Sequence, residues 1–181
     1  AAVMAAMMKI GDRGSSREWK VDELARKAEA GLKGRDFDRG RAMFGAVACF
    51  SCHRFDGRGG IVGPDLTQAA GRFSARDLLE SIIEPNKEIS DQYGAVVITK
   101  LDGSTVTGRI ANLSGDRVSL ITNMFDPGAM EGVDRKQIES QEPSKISMMP
   151  GGLINLLTED EIMDLLAYVL SRGDADHAMF K

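Results

Sequence analysis

Apolar residues recur at spacings of three and four over several parts of the chain, which is the pattern of amphipathic helices. This spacing predicts three main helices, near residues 38–48, 75–84 and 159–171. Ser74 and Asp77 have the spacing of a capping box at the start of the second helix, and Pro85 marks its end. The pattern therefore favours a mainly helical fold in which these segments pack together.

Two further helical segments precede the three main helices. Residues 1–14 are rich in Ala and Met, and we expect the methionines to lie in the helix core and not to form a Met-rich surface for a metal or a partner. The next amphipathic segment carries Trp19 as a packing anchor, and its expected N-cap is Ser15 or Ser16. Residues 1–35 should thus form an N-terminal helical extension or the end of a preceding domain.

Between the second and third main helices the period changes to two, which is typical of strands. Asp102-Gly103 and Gly115-Asp116 are turn signals between β-rich runs. The predicted strands are 95–101, 104–110, 117–122 and 137–140, with a loop over 123–130. Residues 94–141 should therefore form a small, strongly bent sheet or barrel inserted into the helical fold.

Length and charge set limits on the class of protein. The chain has 181 residues, 43% of them apolar, and a net charge of −4. This length fits one domain with an insertion, and the negative charge disfavours nucleic acid or an anionic membrane as partner. We expect no membrane span in this chain, because no apolar run approaches the necessary length. The first residues suggest a processed or excised piece, and residues 173–181 should form a flexible tail.

The strongest chemical signal is the run from Cys49 to His53, which has the C-x-x-C-H pattern of c-type haem attachment. The thiols of Cys49 and Cys52, one helical turn apart, can add to the two vinyl groups of one porphyrin. His53 can then supply a proximal imidazole nitrogen to the iron. Such a histidine needs an acceptor for its second ring N–H, and the backbone carbonyl of Pro64 lies one loop further along the chain. We therefore predict one covalently bound haem c.

The C-x-x-C spacing also occurs in thiol redox sites and in zinc sites. A zinc site needs further ligands, but Cys49 and Cys52 are the only cysteines and His177 is the only other histidine. A thioredoxin-like site would need a βαβ context, which the hydrophobic pattern does not indicate. Haem attachment is therefore favoured over both alternatives.

The order of the motifs resembles that of a class I cytochrome c over about residues 36–172. The motifs are the Gly40–Phe44 helix face, the C-x-x-C-H run, Gly63-Pro64-Asp65-Leu66, Met149-Pro150 and the Leu165–Tyr168 face. More narrowly, the chain is similar to the haem-binding domain at the C-terminus of large membrane-bound dehydrogenase-like proteins of planctomycetes and verrucomicrobia. The stretches that carry this similarity are Gly63–Thr67, Leu79–Asn86 and Met149–Leu153.

The resemblance implies a mainly α cytochrome c fold, α+β overall, in which a haem domain over 36–172 is interrupted by the β insertion over 94–141. The first and last helices of the haem domain should cross at Gly40, because a glycine inside a helix usually permits close approach of another element. The insertion loosely resembles an SH3-like or Sm-like barrel. We expect it to shield one haem edge, to dock a partner, or only to stabilise the fold.

Met149 is implied by the same resemblance as the distal ligand of the iron. We prefer it to Met148 because it directly precedes Pro150, which favours an extended conformation at Met149. Met124 and Met130 are more distant candidates in the insertion. Arg72 is a candidate for contact with a haem propionate, although it could equally be a solvated surface arginine.

A haem with histidine and methionine as axial ligands has no open position, so it changes oxidation state without binding a substrate. We therefore expect an electron-transfer module that is not an enzyme by itself. Its electrons would come from a fused dehydrogenase domain or a redox partner protein and pass to another cytochrome or an oxidase. The alternatives are a haem enzyme or gas sensor with a labile distal methionine, or a docking module whose β insertion binds a partner. Thioether attachment of haem implies an exported protein, in bacteria a periplasmic one.

Overall fold

The computed structural model describes residues 2–14, 16–113 and 115–181 of the chain. These residues form two compact units. The first unit comprises Ala1–Glu84 and Gly151–Lys181, and the second comprises Pro85–Pro150. None of the helices in the described ranges is long and apolar enough to cross a membrane.

In the described part of the chain, the first unit contains six α-helices and one short hairpin. The helices are α1 (Ala2–Gly11), α2 (Val21–Ala30), α3 (Phe37–Ala46), α4 (Cys49–Cys52), α5 (Ala75–Ile83) and α6 (Glu159–Leu170). The hairpin pairs β1 (Arg54–Phe55) with β2 (Arg58–Gly59). Helices α3, α5 and α6 confirm the three main helices predicted from the apolar spacing.

Local capping explains why two of these helices begin where they do. Ser74 accepts from the backbone N–H of Asp77 at the start of α5, and the Asp77 carboxylate accepts from the N–H of Ser74, so the predicted capping box is present. Thr158 and Glu161 form a second capping box at the start of α6. Each box satisfies N–H groups that have no partner inside the helix.

Helix α2 begins later than predicted. It starts at Val21 after Lys20, which makes no side-chain cap, so Ser16 is not its N-cap; Ser15 lies outside the described residues. The residues before the helix are held by tertiary contacts instead. The Arg17 N–H donates to the carbonyl of Asn155 at 2.9 Å, and Trp19 is buried, which confirms it as a packing anchor.

The methionines of α1 do not lie in the core. Ala6 and Ile10 are buried, whereas Met4, Met7 and Met8 are 65%, 47% and 70% exposed. The helix has apolar residues on two faces, and only the face with Ala6 and Ile10 packs into the core of the first unit. The expectation of buried methionines was therefore wrong for these three residues.

Helices α3 and α6 cross at Gly40, as predicted. A Cβ atom at Gly40 would lie 2.9 Å from Cβ of Tyr168 and would also clash with the carbonyl oxygen of Asp164. The Asp164 carboxylate is fully buried, pairs with the Arg39 guanidinium and accepts from the backbone N–H of Asp36 at 3.1 Å. Only a glycine lets the two backbones approach this closely.

Aromatic rings fill the core beside this crossing. The ring centroids of Phe44 and Phe55 lie 5.7 Å and 5.0 Å from that of Tyr168. Phe50, inside the C-x-x-C run, packs edge-on against Phe44 at 4.5 Å. The helix that carries the two cysteines is thereby anchored to the core of the first unit.

The C-terminal tail packs back onto the first unit, in contrast to the expected flexible tail. The Arg35 N–H donates to the carbonyl of Met179 at 2.8 Å. The ring of Phe180 contacts that of Phe37 at a centroid distance of 5.3 Å. This edge-on contact between two half-buried aromatic rings anchors the tail to helix α3.

The second unit is built on a five-stranded antiparallel sheet. Its strands are β3 (Val96–Lys100), β4 (Thr105–Asn112), β5 (Arg117–Ile121), β6 (Met130–Asp134) and β7 (Ile138–Pro143), in the order β6-β5-β4-β3-β7. A 3-10 turn, Arg135–Gln137, joins β6 to β7. The core of this unit consists of Ile98, Val106, Val118, Leu120 and Val133.

Strand β6 was not predicted, and its first residue was assigned to a loop. It contains Gly132 and two acidic residues, and only Val133 is buried, so it lacks the alternation by which strands are recognised. The second unit also extends beyond the predicted limits of 94–141 at both ends. The Ser144 N–H donates to the carbonyl of Ala95 at 2.9 Å, so the chain enters and leaves the sheet at adjacent points.

Candidate functional site

The two cysteines are the first and last residues of the single-turn helix α4. Ala48, which precedes this helix, has a left-handed conformation with φ of 64°, so the chain turns sharply between α3 and α4. Both cysteines are free thiols and half-buried. One turn of helix places the two thiols on the same side, which is the arrangement that two adjacent vinyl groups require.

His53 follows α4 directly in an extended conformation, with φ of −107° and ψ of 138°. Its Nδ1 lies 2.8 Å from the carbonyl oxygen of Pro64. A carbonyl can only accept, so Nδ1 carries the proton and donates, and Nε2 keeps its lone pair for a metal. The hydrogen bond predicted between His53 and Pro64 is therefore present.

The loop that carries Pro64 lies directly against the histidine ring. A Cβ atom at Gly63 would lie 2.6 Å from His53 Cε1, so only glycine fits there. The Gly63 N–H donates to the carbonyl of Cys52 at 2.8 Å. Burial lowers the pKa of His53, and the hydrogen bond to Pro64 acts in the opposite direction. A neutral imidazole is the form that binds a metal.

Electrostatics at the two thiols do not fit a thiol redox site. Burial raises the pKa of Cys49 to about 12 and also raises the pKa of Cys52. Both groups are therefore neutral thiols near pH 7, whereas the reactive cysteine of a thiol redox site has a lowered pKa. His177 lies in the tail, where its Nδ1 accepts from the N–H of Met179 at 3.3 Å.

Two residues that support this loop were missed in the sequence. The Asp65 carboxylate accepts from the N–H of Thr67 at 2.8 Å and from its hydroxyl at 2.5 Å. The Thr67 hydroxyl oxygen in turn accepts from the N–H of Asp56 at 3.0 Å. Their order, Asp65-Leu66-Thr67, is that of an Asx-type turn and was the available signal. These contacts fix the loop whose carbonyl holds His53.

The structure thus brings together Cys49, Cys52, His53 and Pro64. Arg72 is exposed, and its guanidinium lies 5.7 Å from the ring centroid of Phe73. Met148 and Met149 belong to the second unit. Met149 is half-buried, and its N–H donates to the Ser147 hydroxyl at 3.1 Å. The roles of Arg72 and Met149 toward a haem stay predictions.

These features define a helical protein with a covalent haem-attachment site and a separate antiparallel sheet. The cytochrome c family model matches residues 37–100. The match runs from α3 through the cysteine–histidine motif and α5 into β3. It supports a class I cytochrome c, a family that implies covalent haem c and haem-based electron transfer. No curated protein matches the chain.

Proposed function

We propose that this chain is an electron-transfer module of the c-type cytochrome class with one covalently bound haem. One observation carries the proposal: α4 places two thiols one turn apart, and the next residue, His53, is held with Nδ1 on the Pro64 carbonyl. The match of the cytochrome c family to this segment supports it. When bound, the haem iron supplies a one-electron couple between Fe(II) and Fe(III).

His53 and Met149 are the proposed axial ligands. Met149 directly precedes Pro150, which favours an extended backbone at Met149. A thioether ligand stabilises the reduced iron and raises its potential, and two protein ligands leave no position for a substrate. A relay function therefore follows from this ligand set, and an enzyme function does not.

The remaining residues of the site position the ligand and exclude water. The Pro64 carbonyl fixes the tautomer of His53, and Gly63 packs against its ring. Phe50 and Phe44 close the space behind the cysteine helix. In such a fixed environment of low polarity, the surrounding groups move little when the charge of the site changes. Because little reorganisation is needed, electron transfer can be rapid.

The donor, the acceptor and the location are proposed from the motif alone. Covalent attachment through thioethers is chemistry of exported proteins, so we propose a periplasmic or otherwise exported location. The similarity of Leu79–Asn86 and Met149–Leu153 to the haem domain of membrane-bound dehydrogenase-like proteins suggests a dehydrogenase, fused or separate, as the electron donor. A downstream cytochrome or oxidase would accept the electrons.

The covalent bond is tested by producing the chain with a c-type maturation system and treating it with acidic acetone. We expect the colour to stay with the protein, because thioether bonds resist this extraction. The Cys49→Ser and Cys52→Ser variants should each keep one thioether and shift the pyridine haemochrome band, and the double variant should lose its colour to the solvent. Extraction of the haem from the wild type would refute the assignment.

Carbon monoxide separates the electron carrier from the alternative haem enzyme or gas sensor. The reduced wild-type protein should not bind CO, because both axial positions are taken by protein side chains. Rapid CO binding by the wild type would favour an enzyme or sensor with a labile distal methionine.

A further inference from the structure

Helix α1 exposes three methionines on one of its faces. Met4, Met7 and Met8 are 65%, 47% and 70% exposed, whereas Ala6 and Ile10 are buried. At about 3.6 residues per turn, the three methionines fall within an arc of about 100° on the side of the helix away from Ala6 and Ile10. We refer to Met4, Met7 and Met8 together as the methionine face.

The orientation of α1 is fixed by its contact with helix α3. A Cβ atom at Gly45 would lie 2.6 Å from Cγ2 of Val3, so the two helices approach closely at this point. This contact holds Ala6 and Ile10 toward the core and turns the methionine face outward. Methionine side chains usually fill gaps inside cores, and these three gain little from burial. The property that sets them apart from the other exposed residues of α1, Ala5 and Lys9, is their sulfur.

The spacing of the methionine face allows the three sulfurs to meet. Met7 and Met8 follow Met4 by three and four residues, so their Cβ atoms lie about 5–6 Å from that of Met4. Helical side chains lean toward the N-terminus of the helix, which brings both later side chains over Met4. Each methionine has three rotatable side-chain bonds. The thioethers can therefore converge on one ion without a change in the backbone.

The chemistry of these ligands selects the ion. Thioether sulfur is a soft, uncharged ligand, which suits Cu(I). Helix α1 contains no acidic residue, histidine or cysteine, so it offers no side-chain oxygen for Ca²⁺ or Mg²⁺ and no imidazole or thiolate for Zn²⁺. Met7 and Met8 also lie in the last two turns of the helix, whose C-terminal end carries a partial negative charge that favours a cation.

We propose that Met4, Met7 and Met8 form a surface site that binds one Cu(I) ion through three thioethers. Soft, neutral ligands favour Cu(I) over Cu(II), so the site holds the ion in its reduced state. The site lies on a different element from the C-x-x-C-H motif, and it does not depend on the proposed electron-transfer function.

Calorimetric titration of the reduced, haem-loaded protein tests the proposal. Cu(I) is added as its acetonitrile complex under argon, and Ag(I) is added in a separate titration in chloride-free buffer. Ag(I) is a second soft cation that does not change its oxidation state. We expect one ion of either metal per chain. Zn²⁺ should give no binding that depends on the methionines, because it prefers nitrogen, thiolate and carboxylate ligands.

Leucine variants separate the sulfur from the apolar surface. Met4→Leu, Met7→Leu and Met8→Leu each keep an apolar side chain of good helix propensity and remove one ligand. Loss of an outer-shell partner costs about 10- to 100-fold in metal affinity, so each variant should weaken Cu(I) binding at least about tenfold. The triple variant should not bind Cu(I) at this face. Met130→Leu, which removes a methionine that is 53% exposed in the second unit, is the control and should not change the affinity.

The pH dependence gives a second readout. Imidazole and thiolate ligands must lose a proton before they bind a metal, whereas a thioether has no proton to lose. The affinity for Cu(I) should therefore be the same at about pH 5.5 and about pH 7.5, a range in which histidine sites weaken as the pH falls.

Three results would overturn the proposal. They are no binding of Cu(I) or Ag(I) by the wild type at micromolar concentrations, equal affinities of the triple leucine variant and the wild type, and an affinity that falls at the lower pH. The methionine face would then be an apolar surface only. The absorption spectrum of the haem and the thermal midpoint, recorded for every variant, show that the fold is intact. None of these results bears on the cytochrome assignment, which the acid acetone and CO experiments test.

Discussion

At the scale of single residues, the protein around His53 determines the orientation of its ring. Nδ1 donates to the Pro64 carbonyl at 2.8 Å, and Gly63 packs against the ring edge. The contacts between Asp65 and Thr67 fix the loop on the far side. A ligand held in one tautomer and one orientation loses little conformational freedom when it binds a metal.

The choice between the two adjacent methionines gives a prediction at this scale. Met149→Ala should open the iron to CO and lower the reduction potential, because a thioether ligand that favours Fe(II) is lost. Met148→Ala is the matched control and should do neither. CO titration and potentiometry of both haem-loaded variants measure the outcome. Loss of the thioether-to-iron absorption band in Met148→Ala alone would place the ligand one residue earlier.

The ion pair between Arg13 and Glu161 makes stability depend on pH. The two groups form two hydrogen bonds of 2.6 and 2.7 Å. The hydrogen bonds from Arg13 hold the pKa of Glu161 at about 2, well below its ordinary value of 4.5. A carboxyl with a lowered pKa stabilises the folded state above the unfolded pKa, and this contribution is lost as the pH falls toward the folded pKa. The acid-sensitive window is therefore about pH 4.5 to 2.

Arg13→Met should lower the free energy of unfolding by about 2–3 kcal/mol near neutral pH, because it leaves Glu161 with little exposure and no cation. The loss of stability between pH 4.5 and 2 should also become shallower than in the wild type. Arg76→Met removes two exposed ion pairs, with Asp22 and Glu29, and should leave that slope unchanged. Denaturant unfolding at several pH values measures the free energy of unfolding near neutral pH and its change between pH 4.5 and 2. If the free energy of unfolding fell as steeply with pH in Arg13→Met as in the wild type, the ion pair with Glu161 would not be the cause of the acid sensitivity.

At the scale of elements, the crossing of α3 and α6 depends on the absence of one side chain. Gly40 brings the two backbones into contact, and the buried Asp164 carboxylate ties α6 to the start of α3 through Arg39 and Asp36. The contact joins parts of the chain that are separated by 125 and 128 residues.

Gly40→Leu should force the helices apart and cost about 1–3 kcal/mol of unfolding free energy, because the added atoms meet backbone that cannot move aside. Arg41→Leu, at the neighbouring exposed position on the same helix, is the control and should change stability far less. Thermal unfolding of the haem-loaded variants measures the difference. Equal midpoints for the two variants would show that the crossing tolerates a side chain at Gly40.

Some elements could be predicted from the sequence and others could not. The difference is whether the contacts that hold an element join residues close in sequence or distant in sequence. The α5 capping box and the His53–Pro64 hydrogen bond join residues close in sequence. Spacing indicated the first, and the need of a haem histidine for an acceptor indicated the second. The buried face of α1 depends on the neighbouring helix, and periodicity cannot tell which of two apolar faces is covered. Strand β6 has one buried residue and is held by pairing with β5, which no local pattern records.

At the scale of the whole molecule, the two ends of the sheet of the second unit lie next to each other. Ala95, where the chain enters the sheet, and Ser144, where it leaves, are joined by a hydrogen bond. An insertion with adjacent ends can be removed without stretching the chain around it. Replacing residues 96–143 by a short Gly/Ser linker should therefore leave a folded first unit that still attaches haem. Absorption spectra and thermal unfolding measure this outcome. A colourless or unfolded product would show that the first unit depends on the sheet.

The same deletion tests whether the sheet takes part in binding a partner. If it does, the shortened protein should accept electrons from its physiological donor at an altered rate while the spectrum of the haem stays the same. Unchanged kinetics with that donor would support an insertion that only stabilises the fold. The control is electron transfer between the haem and a small redox ion. The deletion should not change the rate of this reaction if the surroundings of the haem are intact.

The distance along the chain between α3 and α6 also bears on the order of events during synthesis. Three of the four strand pairings in the sheet of the second unit, β3–β4, β4–β5 and β5–β6, join consecutive strands, and such local contacts form early. Helix α6 is made after the sheet, so the crossing at Gly40 cannot close until Glu159–Leu170 has emerged. The segment with the two cysteines therefore stays accessible to a maturation enzyme while the sheet is already able to fold. Because α3 and α6 pack together late, haem can be attached before the first unit is fully folded.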